Sequence, residues 1–107
     1  MSTDFGFWKR ASGDPGDVFD RLADGDTTGL DSSEDVLRFR EDLLSRWPNI
    51  VHEMEPSDFD LEEDPGQAAK FVLLTLSMRF RDVFPEILAL AKHHGLTGYS
   101  GVADEPL

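Results

Sequence analysis

Phe5 and Phe7 alternate with Gly6 and Trp8 near the start of the chain. Side chains of a strand point to opposite faces in turn, so the pattern predicts a short strand over 4–9 with both phenylalanines on one side and Trp8 on the other. Asp14-Pro15-Gly16-Asp17 then reads as a helix start. Asp14 caps, Pro15 suits the first helical position, and Asp17 sits where the positive end of a helix favours a carboxylate. Val18, Phe19 and Leu22 give this helix one apolar stripe, and Gly25 ends it near Asp24. Ser32 and Ser33 are caps for a second helix over 33–46. Val36, Leu37, Leu43, Leu44 and Trp47 recur at helical spacing there, Phe39 widens the stripe, and Arg40 is its polar exception. Pro48 stops it.

Alternation returns over 50–55. Ile50, His52 and Met54 face one way and Val51, Glu53 and Glu55 the other, which predicts an edge strand. Residues 56–66 read as an acidic turn region. Lys70 to Leu76 is a nearly continuous apolar run, the pattern of a central strand buried on both faces. The last helix falls within 79–95, with Phe84, Ile87, Leu88 and Ala91 as its stripe. Pro85 sets its start at 81–84, and Gly95 ends it behind Lys92, His93 and His94. Residues 96–99 make a final short strand, and the polar tail 100–107 is expected to fray.

The element order β-α-α-β-β-α-β predicts an α+β fold: a two-layer, ferredoxin-like sandwich with a four-stranded, mainly antiparallel sheet and all helices on one face. Residues 1–99 form its single domain, consistent with a chain of 107 residues.

Composition narrows the function. Asp and Glu total 22 against 10 Lys and Arg, a net charge of -12. That balance argues against nucleic acid or an anionic membrane as partner and favours a basic protein. The absence of cysteine removes disulfides, thiol catalysis and thiolate metal sites. No apolar run approaches membrane-spanning length and the N-terminus is not signal-like, so the expected location is cytoplasmic.

The candidate chemistry is sparse. Asp24, Asp26, Thr28, Gly29 and Asp35 fall at positions 1, 3, 5, 6 and 12 of a calcium-loop pattern. Thr28 is a poor fifth ligand and Asp35 is shorter than the usual bidentate glutamate, so a plain loop between helices is favoured. His93 and His94 diverge around a helix, and His52 and Glu53 point to opposite faces of a strand, so neither pair converges on a metal. No nucleophile elbow or nucleotide fingerprint is present. No catalytic, cofactor-binding or metal-ligating residue is therefore assigned.

Partner-binding candidates are Asp58, Phe59, Asp60, Glu62, Glu63 and Asp64, an acidic run around one aromatic. Trp8 joins them as an aromatic anchor on the open sheet face, if Phe5 and Phe7 face the helices.

The opening Asp4-Phe5-Gly6-Phe7-Trp8-Lys9 resembles the Tyr-Asp-Leu-Tyr-Phe-Trp start of a group of small acidic bacterial proteins of unassigned function. The likeness continues through Asp14-Pro15, the helix ending near Leu22, Asp24-Gly25-Asp26, Gly29-Leu30, the helix 87–94 and Gly95-Leu96-Thr97-Gly98-Tyr99. That group ends on a Gly-Leu-x-x-Tyr-Asp-Pro-Gln strand, whereas Ser100 and Gly101 stand here in place of Asp and Pro. Some of its members look like genomic neighbours of secreted toxins, so the resemblance implies an immunity or partner-binding role.

The leading expectation is thus a non-enzymatic, immunity- or adaptor-like module that binds a basic protein. The alternatives are a small-molecule-binding domain or small enzyme with a pocket at the sheet edge, and a homodimer that pairs open sheet faces through Trp8, Val51 and the central strand.

Overall fold

A computed structural model describes residues 3–107; residues 1 and 2 of the expected domain lie outside the described residues. The chain is α+β. Its strands are β1 (Thr3–Trp8), β2 (Met54–Glu55), β3 (Phe71–Leu76), β4 (Thr97–Ser100) and β5 (Glu105–Pro106). Its α-helices are α1 (Pro15–Ala23), α2 (Glu34–Arg46), α3 (Asp58–Glu63) and α4 (Phe84–His93). The strands form one five-stranded sheet in the order β2-β3-β1-β4-β5, and every neighbouring pair is antiparallel.

Register places the apolar residues of the central strands on both faces. Phe5 pairs with Leu74 and Phe7 with Val72, while Gly6 pairs with Leu73 and Trp8 with Phe71. Phe5, Phe7, Val72, Leu74 and Leu76 pack against Val36, Phe39 and Leu43 of α2 and Ile87, Leu90 and Ala91 of α4. The reverse face presents Trp8, Phe71, Leu73 and Tyr99, which pack against Val18, Phe19 and Leu22 of α1.

The expectation that all helices share one face is therefore corrected: α1 covers the second face and the sheet is the middle of three layers. The cause is β3, whose two apolar faces both need cover. Gly6 makes the close approach of α1 feasible, because a Cβ there would sit 2.9 Å from Cδ2 of Phe19. The open sheet face invoked for a homodimer is thus already occupied by the chain's own helix.

Two local expectations also change. Residues 48–53 form a 3-10 turn rather than a strand, begun by Pro48 and closed by Ile50 N donating to Trp47 O at 2.9 Å. Only Met54 and Glu55 pair with β3, at the sheet edge. Residues 58–63 are helical rather than a turn. The last helix starts at Phe84, within the expected 81–84, behind a 3-10 turn over Met78–Val83; Pro85 lies in its first turn, where no amide is missed.

The C-terminal residues, expected to fray, pair with the sheet and make a fifth strand where four were expected. Tyr99 lies opposite Pro106 and Ser100 opposite Glu105, and Leu107 N donates to Gly98 O at 3.0 Å. The Tyr99 hydroxyl donates to Oδ1 of Asp104 at 2.6 Å. That hydrogen bond, reinforced by burial and the Asp104 charge, pushes the phenol up from 10.0 to about 12. The folded state thus favours neutral Tyr99. Its contribution to stability is complete below the ordinary phenol range and is lost as pH rises towards about 12. Tyr99 is the one tyrosine in the sequence, so tyrosinate absorbance reads it directly. Asp104 holds a positive φ of 53°, which glycine adopts without strain. Asp104→Gly is expected to move the spectrophotometric midpoint down towards the free value; an unshifted midpoint would contradict the Asp104 contact.

Candidate functional site: an acidic face on helix α3

Helix α3 is short and depends on its capping. The Ser57 hydroxyl accepts from Asp60 N at 3.2 Å, and the Asp60 carboxylate accepts from Ser57 N at 3.0 Å. This reciprocal pair satisfies two amides that a helix start leaves open, and Asp58 and Asp60 both suit its positive end. The capping box turns an acidic segment into an ordered element and fixes where its side chains project.

Phe59 projects outward and is 68% exposed. Glu62 and Glu63 lie three and four residues beyond it, so they flank the ring on the helix surface. Of the residues singled out from the sequence, Asp58, Phe59, Glu62 and Glu63 are exposed on α3, and Asp64 is exposed at its C-terminal cap. Asp60 belongs to the same helix, but the cap occupies its carboxylate.

Trp8 does not join them. It is 3% exposed, buried under α1 in the second core with Phe71 and Tyr99. The assignment of Trp8 as an exposed anchor is corrected, for the same reason that the one-face arrangement fails.

A groove of about 480 Å³ adjoins α3; its lining includes His52, Glu53, Glu55, Asp58, Phe59 and Thr75. Three of those side chains are carboxylates and none is Lys or Arg. The groove and the exposed face of α3 thus carry one sign of charge. Such an arrangement attracts cationic groups and repels acidic ones.

In the sequence Arg40 is a polar interruption of an apolar helical stripe. In the structure Arg40 is 5% exposed, and its Nη1 has no hydrogen-bond partner among the described residues. Burial pushes its pKa down, and the charge of Asp58 on α3 opposes that shift. A polar residue at a core position of a helical stripe was the available signal.

The other candidates disperse. Asp26 accepts from Thr28 N at 2.9 Å, and this local bonding holds its carboxyl below the usual value. Asp35 pairs with Lys9 at 2.9 Å, and the same lysine holds the Asp35 carboxyl below its usual value. Among the described residues no group of three or more His, Asp or Glu is placed to hold a metal ion. His94 Nε2 lies 2.8 Å from Oδ2 of Asp42, linking α4 to α2, while His93 and His52 are exposed. No described helix is long and apolar enough to cross a membrane.

No protein-family profile, curated protein or solved structure matches the chain. The functional reading therefore rests on the chemistry of the face itself.

Proposed function

We propose that the protein is a non-enzymatic acidic binding module, immunity- or adaptor-like, that engages a basic protein partner through α3 and the adjoining groove. The observation that carries this reading is Phe59, 68% exposed, on a helix whose exposed neighbours Asp58, Glu62 and Glu63 are all carboxylates. An aromatic ring gives affinity when a partner desolvates it, and surrounding charge speeds encounter and selects the partner's sign. Arg and Lys side chains beside an apolar pocket are the complement of this face. The resemblance to a group of small acidic proteins, some of which look like genomic neighbours of secreted toxins, implies the same kind of role.

The test begins with recovery of a stoichiometric partner from the native host at low salt, followed by binding measurements with both proteins purified. Phe59→Ala is expected to weaken the complex by roughly 10-fold or more, mainly through faster dissociation. Glu62→Lys combined with Glu63→Lys is expected to slow association and flatten its salt dependence. These residues are exposed, so circular dichroism and melting should match the parent protein. A complex indifferent to both variants and to salt places the binding surface elsewhere and removes the proposal.

A further inference from the structure

At the far end of the central strands from Thr75, two loops leave the sheet. The segment 9–13 follows β1 towards α1 on one face, and 27–33 leads into α2 on the other. They are tied together where they cross. Ala11 and Leu30 form an antiparallel bridge, Ser12 N donates to Gly29 O at 3.3 Å, and Asp31 N donates to Arg10 O at 3.1 Å. Arg21 of α1 clamps both loops, donating from Nη2 to Ser12 O at 2.7 Å and from Nη1 to Thr28 O at 3.3 Å.

Between the layers this frame holds open a cleft of about 490 Å³, lined by residues that include Trp8, Lys9, Arg10, Ser12, Asp31 and Thr97. A second hollow shares Lys9, Arg10 and Asp31 and adds Ser32 and Ser33. The volume lies within the range of small-ligand sites, and the cross-links mean that the walls exist before any ligand arrives.

This cleft gathers cationic side chains on an otherwise acidic molecule. In a chain of net charge -12, its lining carries Lys9 and Arg10 against the single carboxylate of Asp31. Lys9 is held beside Asp35 at 2.9 Å. Arg10 is exposed, and its guanidinium has neither ion pair nor hydrogen bond among the described residues. A free guanidinium fork beside serine and threonine hydroxyls matches the oxygens of a phosphate group, which it can bind with two parallel hydrogen bonds. The space exceeds what a bare ion fills.

We infer that the cleft at the end of β1 binds a small phosphate-bearing molecule, with Arg10 as its principal anchor. This inference is independent of the α3 face.

The test uses the full chain carrying Trp47→Phe, which leaves Trp8 as the one indole. Pyrophosphate is titrated against sodium chloride of matched ionic strength, with Trp8 fluorescence and the amide resonances of residues 9–13 and 29–33 as readouts. Saturable changes confined to those residues are expected with pyrophosphate and not with chloride. Arg10→Ala should weaken the response at least about 10-fold, while Arg79→Ala, an exposed arginine elsewhere, should leave it unchanged. The backbone of Arg10 makes the loop contact and its side chain is exposed, so the variant keeps the fold; amide spectra check this. A response that does not saturate, that chloride reproduces, or that survives Arg10→Ala overturns the inference. Tighter saturation of the same resonances by succinate would replace phosphate with a dicarboxylate and likewise overturn it.

Discussion

Phe7→Ala is expected to lower the unfolding free energy by about 3–5 kcal/mol, with the urea midpoint falling and the slope unchanged. Phe7 is fully buried on β1, with β3 and β4 on either side. Its ring lies 5.2 Å from that of Phe39 in an edge-on arrangement, a geometry worth something beyond the area it buries. Across the strand pair stands Gly98, where an added Cβ would come within 3.0 Å of the Phe7 ring. That glycine is part of the pocket the ring fills. It has no side chain to move in, so the cavity left by truncation stays largely open, and the cost falls at the upper part of the range for such changes. Domains of this size are stable by only about 5–15 kcal/mol, so the variant should lose a large share of its margin. Phe59→Ala, the same substitution at an exposed ring, should change stability by no more than about 0.5 kcal/mol. Equal effects at the two positions would contradict the placement of Phe7.

The second large effect has the opposite sign. Arg40→Met is expected to leave stability unchanged or raise it, by up to about 3 kcal/mol in urea unfolding. Arginine stays protonated in proteins, so its burial on α2 removes a full charge from water. Nothing in the described residues returns a hydrogen bond to Nη1. Methionine keeps the length of the side chain and packs among Phe39 and Leu43's neighbours without a stranded donor. Asp58 is the charge that opposes the lowered pKa of Arg40, so Asp58→Ala should destabilise the parent protein more than it does beside Arg40→Met, where only its place in the first turn of α3 is lost. A loss above about 1 kcal/mol on Arg40→Met would show that the guanidinium has a partner that matters.

Much of the fold could be read from periodicity because most segments have one dominant pattern. Phe5 and Phe7 alternate on a strand, Val36 to Leu43 recur on a helix, and 71–76 is apolar except for Thr75. The one-face sandwich failed on information already in the sequence. A central strand buried on both faces needs cover on both, and Val18, Phe19 and Leu22 were the stripe available to supply it. Applying each local pattern separately hid that requirement, and Trp8 was misplaced with it. The segment 50–55 misled for another reason: Ile50 and Met54 are four residues apart, a spacing that puts them on one face of a strand and also on one face of a helical turn, so both readings bury the same pair. The acidic face was visible as composition, but not as a surface. Its geometry depends on Ser57 and Asp60 forming a capping box, a pairing that the sequence permits without requiring. The Arg10 cleft was beyond reach, since two loops distant in sequence build it.

Both borders of the sheet are two residues long. Met54-Glu55 closes one side and Glu105-Pro106 the other. Each offers a carboxylate, and proline, at 56 or 106, denies an amide to any incoming chain. Such margins give another polypeptide little main chain to register against. Two outcomes follow from one geometry. Concentrated solutions should not seed cross-β stacking from the native state, and a binding partner gains nothing by presenting an extended segment for strand addition. Recognition at either border of the sheet is left to side chains.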